Sequence, residues 1–124
     1  MRENASRNSG YRSLIAWEKA MDGAVRVLDL CDLIPPRSGA GVVPQLRRSV
    51  VSIPSNIAEG YDRPALEQLV FLRHSRGSLW EAATQLEILE RRGRLKTETL
   101  RSLLEDADEI GRVLHGYMEH VSGR

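Results

Sequence analysis

Three histidines, one cysteine and one serine-rich stretch are the side chains in this sequence whose chemistry asks to be tested first. His115 and His120 are five residues apart, not the four that would bring two ligands onto one helical face, and His74 is remote from both. Nothing else has metal-ligand spacing. Cys31 closes an apolar run, a position that suits burial better than a reactive thiol. Serines, histidines and aspartates occur without a nucleophile elbow or any arrangement that singles out a triad. Gly39 and Gly41 lack the following Lys-Ser/Thr pair and the preceding strand that a phosphate loop needs. No catalytic residue, cofactor or metal is therefore expected, and an enzyme is the least supported class.

The stretch from Pro44 to Arg63 has a different character. At about 100° per residue, Arg48, Ser52, Ser55 and Glu59 fall on one side of a helix, with Ser49 and Asn56 at its margin. Short polar side chains let another helix approach closely, and the charges at either end can find opposite partners there. The other reading is a ligand or phosphate site centred on Arg48 and Asn56. Arg47 lies on the flank of the apolar face, so its charge needs a partner or a path to solvent.

The remaining candidates are cations. Arg63, Arg73, Arg76, Arg91, Arg92, Arg94 and Lys96 could contact phosphates. Arg73 and Arg76 share a side of one helix, and the last four surround Gly93. A charge cluster at a helix end also serves as a solvated face complementing the helix dipole. Repeated by symmetry, however, even a weak cluster acts multivalently on a polyanion.

The bulk numbers set the frame. The 124 residues suit one domain, with residues 1–10 a polar, flexible tail and residues 11–124 a single bundle. Net charge is only +1, yet residues 37–96 hold ten Lys/Arg against six Asp/Glu, while residues 97–124 hold three against six. The middle of the chain is basic and its last segment acidic. A lone cysteine excludes an internal disulfide and fits a reducing compartment. No apolar run is long enough to cross a membrane, and the first residues lack the apolar core of a signal peptide. A cytoplasmic address is expected.

Four helical segments must position these residues. The first, about Ser13 to Asp32, carries Leu14, Trp17, Met21, Ala24, Val25, Leu28 and Cys31 at three- and four-residue spacing, with Ser13 as N-cap and Ile34-Pro35-Pro36 as its end. The second has Pro44 in its first turn, an apolar line of Leu46, Val50, Ile53 and Ile57, and Gly60 as C-terminal cap. Pro54 interrupts its ladder, and Ser52, Ser55 and Asn56 are placed to satisfy the backbone around the break. The third opens at Asp62 and closes at Gly93. The fourth, Thr97 to Val121, is amphipathic, with Gly111 and Gly116 as points of close approach. No strand-like alternation occurs. An all-α, antiparallel up-and-down four-helix bundle follows.

The third segment is apolar on two sides. One line is Leu66, Leu69/Val70, Gly77, Trp80, Thr84 and Ile88; the other is Leu72, Ser75, Leu79, Ala82, Leu86 and Leu89. One must face the bundle core. The second also has to be buried, and self-association is the simplest way. The alternating spacing of Leu72, Leu79, Ala82, Leu86 and Leu89 resembles a short coiled-coil seam and makes that line the candidate oligomer seam, while spacing alone does not choose which line faces the neighbouring subunit.

These residues also carry a resemblance. Leu14 with Trp17-Glu18-Lys19-Ala20, the run Gln45-Leu46-Arg47-Arg48-Ser49-Val50-Val51-Ser52-Ile53-Pro54-Ser55-Asn56-Ile57-Ala58-Glu59-Gly60, then Arg63, Phe71-Leu72, Gly77-Ser78-Leu79-Trp80-Glu81 and Gln85-Leu86 closely resemble the four-helix-bundle proteins encoded in intervening sequences of bacterial 23S rRNA genes. Accessory proteins of diversity-generating retroelements are relatives of that family. The resemblance spans roughly Tyr11 to His120. It implies a bundle assembling into a cyclic homo-oligomer, a pentamer, in which Arg47, Arg48, Ser52, Pro54, Ser55, Asn56, Glu59 and Gly60 are structural or interface residues. Retroelement relatives are strongly basic and bind nucleic acid and a reverse transcriptase; this chain departs from them in its near-neutral charge. The resulting expectation is a non-enzymatic homo-oligomer whose arginine clusters contact RNA or DNA. The alternative is a protein-binding scaffold ring without nucleic-acid affinity.

Overall fold

The computed structural model describes residues 9–37 and 41–124. The tail expected over residues 1–10 therefore falls largely outside the described residues, as do Ser38, Gly39 and Ala40 of the first loop. After a 3-10 turn at Gly10–Ser13 come four α-helices among the described residues: α1 Ile15–Leu33, α2 Val42–Gly60, α3 Ala65–Arg91 and α4 Thr97–Ser122. Each helix packs on its neighbours in the chain, and α1 closes the ring against α4. Pairings such as Ile53 with Ser75 and Gly60 with Phe71 run antiparallel. The expected bundle class is the observed one.

The core has two joined halves. Ile53, Ile57, Leu72, Leu79, Ile110, Leu114 and Val121 fill one, and Leu46, Val50, Leu86, Leu89, Leu95 and Leu103 fill the other. The buried face of α1 is not quite the one its larger side chains suggest. Ala16, Ala20, Ala24, Val27 and Cys31 are buried, whereas Val25 is half exposed and Leu14, Trp17 and Leu28 cover the margins. Small residues win that face because they bring the α1 backbone close to α4: a methyl group on Gly23 would lie 2.9 Å from Cδ1 of Ile110.

Helix boundaries bring further corrections. Ser13 does not cap α1; its hydroxyl donates to the Gly10 carbonyl within the 3-10 turn, and Leu14 takes the cap position. Asp62 does not open α3 but sits at φ 71 in the turn before Pro64, the residue that precedes the helix. Gly60 is not a left-handed cap either. It is the last residue of α2, buried where α3 turns back, and a Cβ there would meet Cβ of Phe71 at 2.7 Å. Gly116 approaches nothing within 4 Å, whereas Gly111 lies near Leu79.

Pro54 cannot donate to the helix ladder, and polar groups cluster around it as expected. Ser55 donates to the Val51 carbonyl and Asn56 to the Ser52 carbonyl. The Ile53 carbonyl also accepts from Ser75 of α3, a fully buried donor at 2.8 Å. The Ser52 hydroxyl reaches across the helices to Ser78, also at 2.8 Å. The small polar stripe thus brings α3 against α2, the most extensive helix pairing in the bundle.

Cys31 is buried beside the Asp32–Arg47 ion pair, in which Arg47 donates to Asp32 at 2.8 Å. Burial, only partly offset by the Arg47 charge, pushes the thiol above its ordinary range. The folded state therefore holds the proton more tightly than the unfolded chain does. This contribution to stability is complete below the ordinary thiol pKa and is lost as pH rises through the folded value. Cys31 should also resist alkylation by iodoacetamide at pH 8 in buffer and react promptly in urea, with labelling followed by mass spectrometry. Equal labelling rates in the two conditions would show the thiol to be accessible.

Candidate nucleic-acid interface

Most of the cationic candidates collect at one end of the bundle, and the chain reversal between α3 and α4 explains how. Arg92 caps α3, and Gly93 follows at φ 74, a conformation that glycine adopts without strain. The Gly93 N–H bonds to the Glu90 carbonyl and the Arg94 N–H to the Leu89 carbonyl, both at 2.9 Å, which closes the helix in a Schellman motif. Leu89 and Leu95 are buried on either side of the reversal. With those two side chains anchored inward, Arg91, Arg92, Arg94 and Lys96 are all exposed. Thr97 occupies Glu90, the carboxylate of the turn, through a 2.9 Å hydrogen bond.

Two further cations belong to this end. Arg37 follows α1, and Arg48 lies in the second turn of α2; both are exposed. The positive ends of the α2 and α4 dipoles at this end are offset by the negative ends of α1 and α3, so the side chains supply its charge. Arg37 carries no signal as a site residue in the sequence, because only the up-and-down topology brings the end of α1 to the same end of the bundle as the end of α3. No ion pair engages Arg37, Arg48, Arg91, Arg92 or Lys96 among the described residues.

The other candidates lie elsewhere. Arg63 is at the opposite end, about 40 Å away along α3 by helix rise; it donates to the Glu59 carbonyl and covers the Phe71 ring. Glu59 is 4.0 Å from Arg63, so this end of the polar stripe pairs within its own turn rather than across an interface. Arg73 is exposed midway along α3, and Arg76 lies 5.1 Å over the Trp80 ring. The seven cations do not form one surface.

The third helix also corrects the assigned seam. Leu72, Leu79, Ala82, Leu86 and Leu89 are between 0% and 5% exposed, all within the core of a single subunit, so they cannot meet a neighbour. The outward line is the other one: Leu66 is 81% exposed and Trp80 62%, with Val70 and Ile88 also open. Beside Trp80 an open groove of about 530 Å³ runs between α3 and α4, floored by Leu79, Ala83, Ala107 and Gly111.

Among the described residues, no group of three His, Cys, Asp or Glu side chains could hold a metal ion. His115 pairs with Glu119 on the surface of α4 at 2.6 Å. No described helix is long and apolar enough to cross a membrane.

Comparison with known proteins supports the architecture and adds a family. No curated protein matches the chain. A crystal structure of a protein of unknown function from the S23 ribosomal protein family of Bacteroides thetaiotaomicron is similar in fold, with a TM-score of 0.76 over 84% of this chain and 98% of the other, at 24% identity. The model of the 23S rRNA-intervening sequence proteins matches residues 12–116, which takes in all but the first two residues of the 3-10 turn, the first three helices and most of α4; the chain belongs to that family.

Proposed function

We propose that this protein is a non-enzymatic, self-assembling accessory factor of the cytoplasm that binds nucleic acid through the α3–α4 end of its bundle. The observation that carries this reading is the exposed group of Arg37, Arg91, Arg92, Arg94 and Lys96 at one end of a chain whose net charge is only +1. Charge so concentrated gives a local positive field that the total conceals. The open apolar line of Leu66, Val70, Trp80 and Ile88 supports self-association. In a ring of copies, five by the family resemblance, the basic ends would act together on one polyanion.

The same apolar line favours a second reading, a ring that binds a protein partner and has no affinity for nucleic acid. Salt separates the two. Phosphate binding releases counterions and weakens as salt rises, whereas contact through apolar surface is nearly indifferent to it. The test is fluorescence anisotropy with structured RNA and duplex DNA at low and near-physiological salt. Binding confined to low salt supports the accessory factor; no binding at either leaves the protein scaffold.

The triple variant Arg91→Gln, Arg92→Gln, Arg94→Gln sharpens the test. It should lower RNA affinity by about tenfold or more at low salt and flatten the salt dependence by about two in log–log slope, as expected for three lost phosphate contacts. All three positions are exposed, so its melting temperature should stay near that of wild type. Unchanged RNA affinity in a folded triple variant rules out this end as the interface.

A further inference from the structure

The large apolar side chains left in water are not spread evenly over the bundle. Ile15, Val25 and Leu33 of α1 are each more than half exposed, a second open apolar line besides that of α3. Among the described residues α2 adds only Val51 to these two lines, and α4 adds none. Helices α1 and α3 do not touch and stand diagonally across the bundle, so their open lines face opposite ways. The lines are similar in length, about 27 Å from Ile15 to Leu33 and about 33 Å from Leu66 to Ile88.

Their charges are opposite. Glu18, Asp22 and Asp29 follow one another at helical spacing around Val25, and all are exposed on the open side of α1. No ion pair engages these three carboxylates among the described residues. The cations of α1 are held by α4 instead, Lys19 by Glu109 and Arg26 by Asp106. On the other face Arg73 stands two turns before Trp80, Arg76 lies over the Trp80 ring, and Arg112 lines the groove from α4. These three guanidiniums are not in ion pairs either. Asp108 shares the groove and Glu87 lies two turns beyond Trp80, so the stretch before Trp80 is the basic part of the line.

A contact of α3 with α3 would cover one apolar line and leave the other in water. A contact of α1 with α3 covers both and brings opposite charges together. We propose that the occupant of the α3 line is α1 of a second copy of this chain. Ile15, Val25 and Leu33 pack along Leu66, Val70 and Trp80, and the carboxylates of Glu18, Asp22 and Asp29 meet Arg73, Arg76 and Arg112. The inference rests on the self-association reading above and names its two surfaces. Each copy gives α1 to one neighbour and α3 to the other, a head-to-tail contact that forms a ring where the rotation closes.

Val25→Arg and Trp80→Glu test the pairing, because one blocks α1 and the other α3 at exposed positions. Both should keep the helical circular dichroism of wild type. By light scattering wild type should be an assembly and each variant alone a monomer. Mixed in equal amounts, the two should form a dimer or larger species, since the intact α3 of the first meets the intact α1 of the second. The mixture is measured at about 100 μM, because an open dimer lacks the avidity of a closed ring. Asp22→Asn with Asp29→Asn should weaken wild-type association about fivefold at low salt, the loss expected for two exposed charge pairs.

A Val25→Arg protein that assembles like wild type overturns the pairing and points to contact of α3 with α3. A mixture that stays monomeric overturns it as well, and unchanged association in the double asparagine variant removes the carboxylates from the contact. Failure of the self-association reading shows separately, as a wild type that is itself monomeric at micromolar concentration.

Discussion

Leu79→Glu should leave no folded protein, whereas Trp80→Glu, one residue further on, should leave a folded bundle that no longer self-associates. The two side chains are about 100° apart around α3. Leu79 is 5% exposed and packs among Ile53, Leu72, Ile110 and Leu114 in one half of the core. Truncating such a leucine costs about 2–5 kcal/mol, and burying a carboxylate without a partner adds several more. The sum reaches the whole stability of a typical domain, about 5–15 kcal/mol. Trp80 is 62% exposed, so a glutamate there enters water. Far-UV circular dichroism and light scattering read both outcomes. A folded Leu79→Glu would overturn the assignment of the inner face, and an associated Trp80→Glu would remove Trp80 from the interface.

Gly60→Val should destabilise the protein by about 3 kcal/mol, near the upper end for overpacking a tight site. The cause is a contact between backbones rather than a turn. Gly60 is buried at the last position of α2, and any Cβ there lies 2.7 Å from Cβ of Phe71, which is fixed to the α3 backbone and cannot swing aside. Valine adds two methyl groups in the same space. For a domain of this size the melting temperature should fall by about 10 °C. Gly77→Val offers a control, since a Cβ at Gly77 meets nothing within 4 Å. Equal losses at the two positions would mean that helix propensity, and not the approach of α3, makes glycine matter at Gly60.

These two expectations mark where the sequence is legible. The helices are readable because their apolar residues recur at helical spacing and proline or glycine stands between them; Leu46, Val50, Ile53 and Ile57 of the second are all buried, as their spacing requires. Alpha-helix three defeats this reasoning. Both of its sides carry leucine, valine, isoleucine or tryptophan, and periodicity cannot say which one the other three helices cover. Packing decides it, placing Leu72, Leu79, Leu86 and Leu89 inside. The first helix misleads for the opposite reason, because Ala16, Ala20 and Ala24 contribute little to an apolar pattern yet are the residues buried against the core.

Buried polar residues are harder still. Gln68 is fully buried, where it donates to the Tyr117 hydroxyl at 2.7 Å and accepts from Arg124 at 3.2 Å. Both partners come from the far end of the chain, and no local pattern announces them. The candidate interface was legible as charge around Gly93. Its extent was not, since joining Arg37 and Arg48 to the cluster, and separating Arg63 from it, depends on which helix ends lie together.

The most direct test of the account is the salt dependence of structured-RNA binding by the wild-type protein, measured by anisotropy between about 50 and 200 mM salt. Five phosphate contacts from Arg37, Arg91, Arg92, Arg94 and Lys96 predict that affinity falls by roughly one hundred- to five hundredfold over that range. Affinity that is flat across it, or no binding at the lowest salt, would contradict a phosphate-binding end and leave the bundle as a scaffold for protein partners.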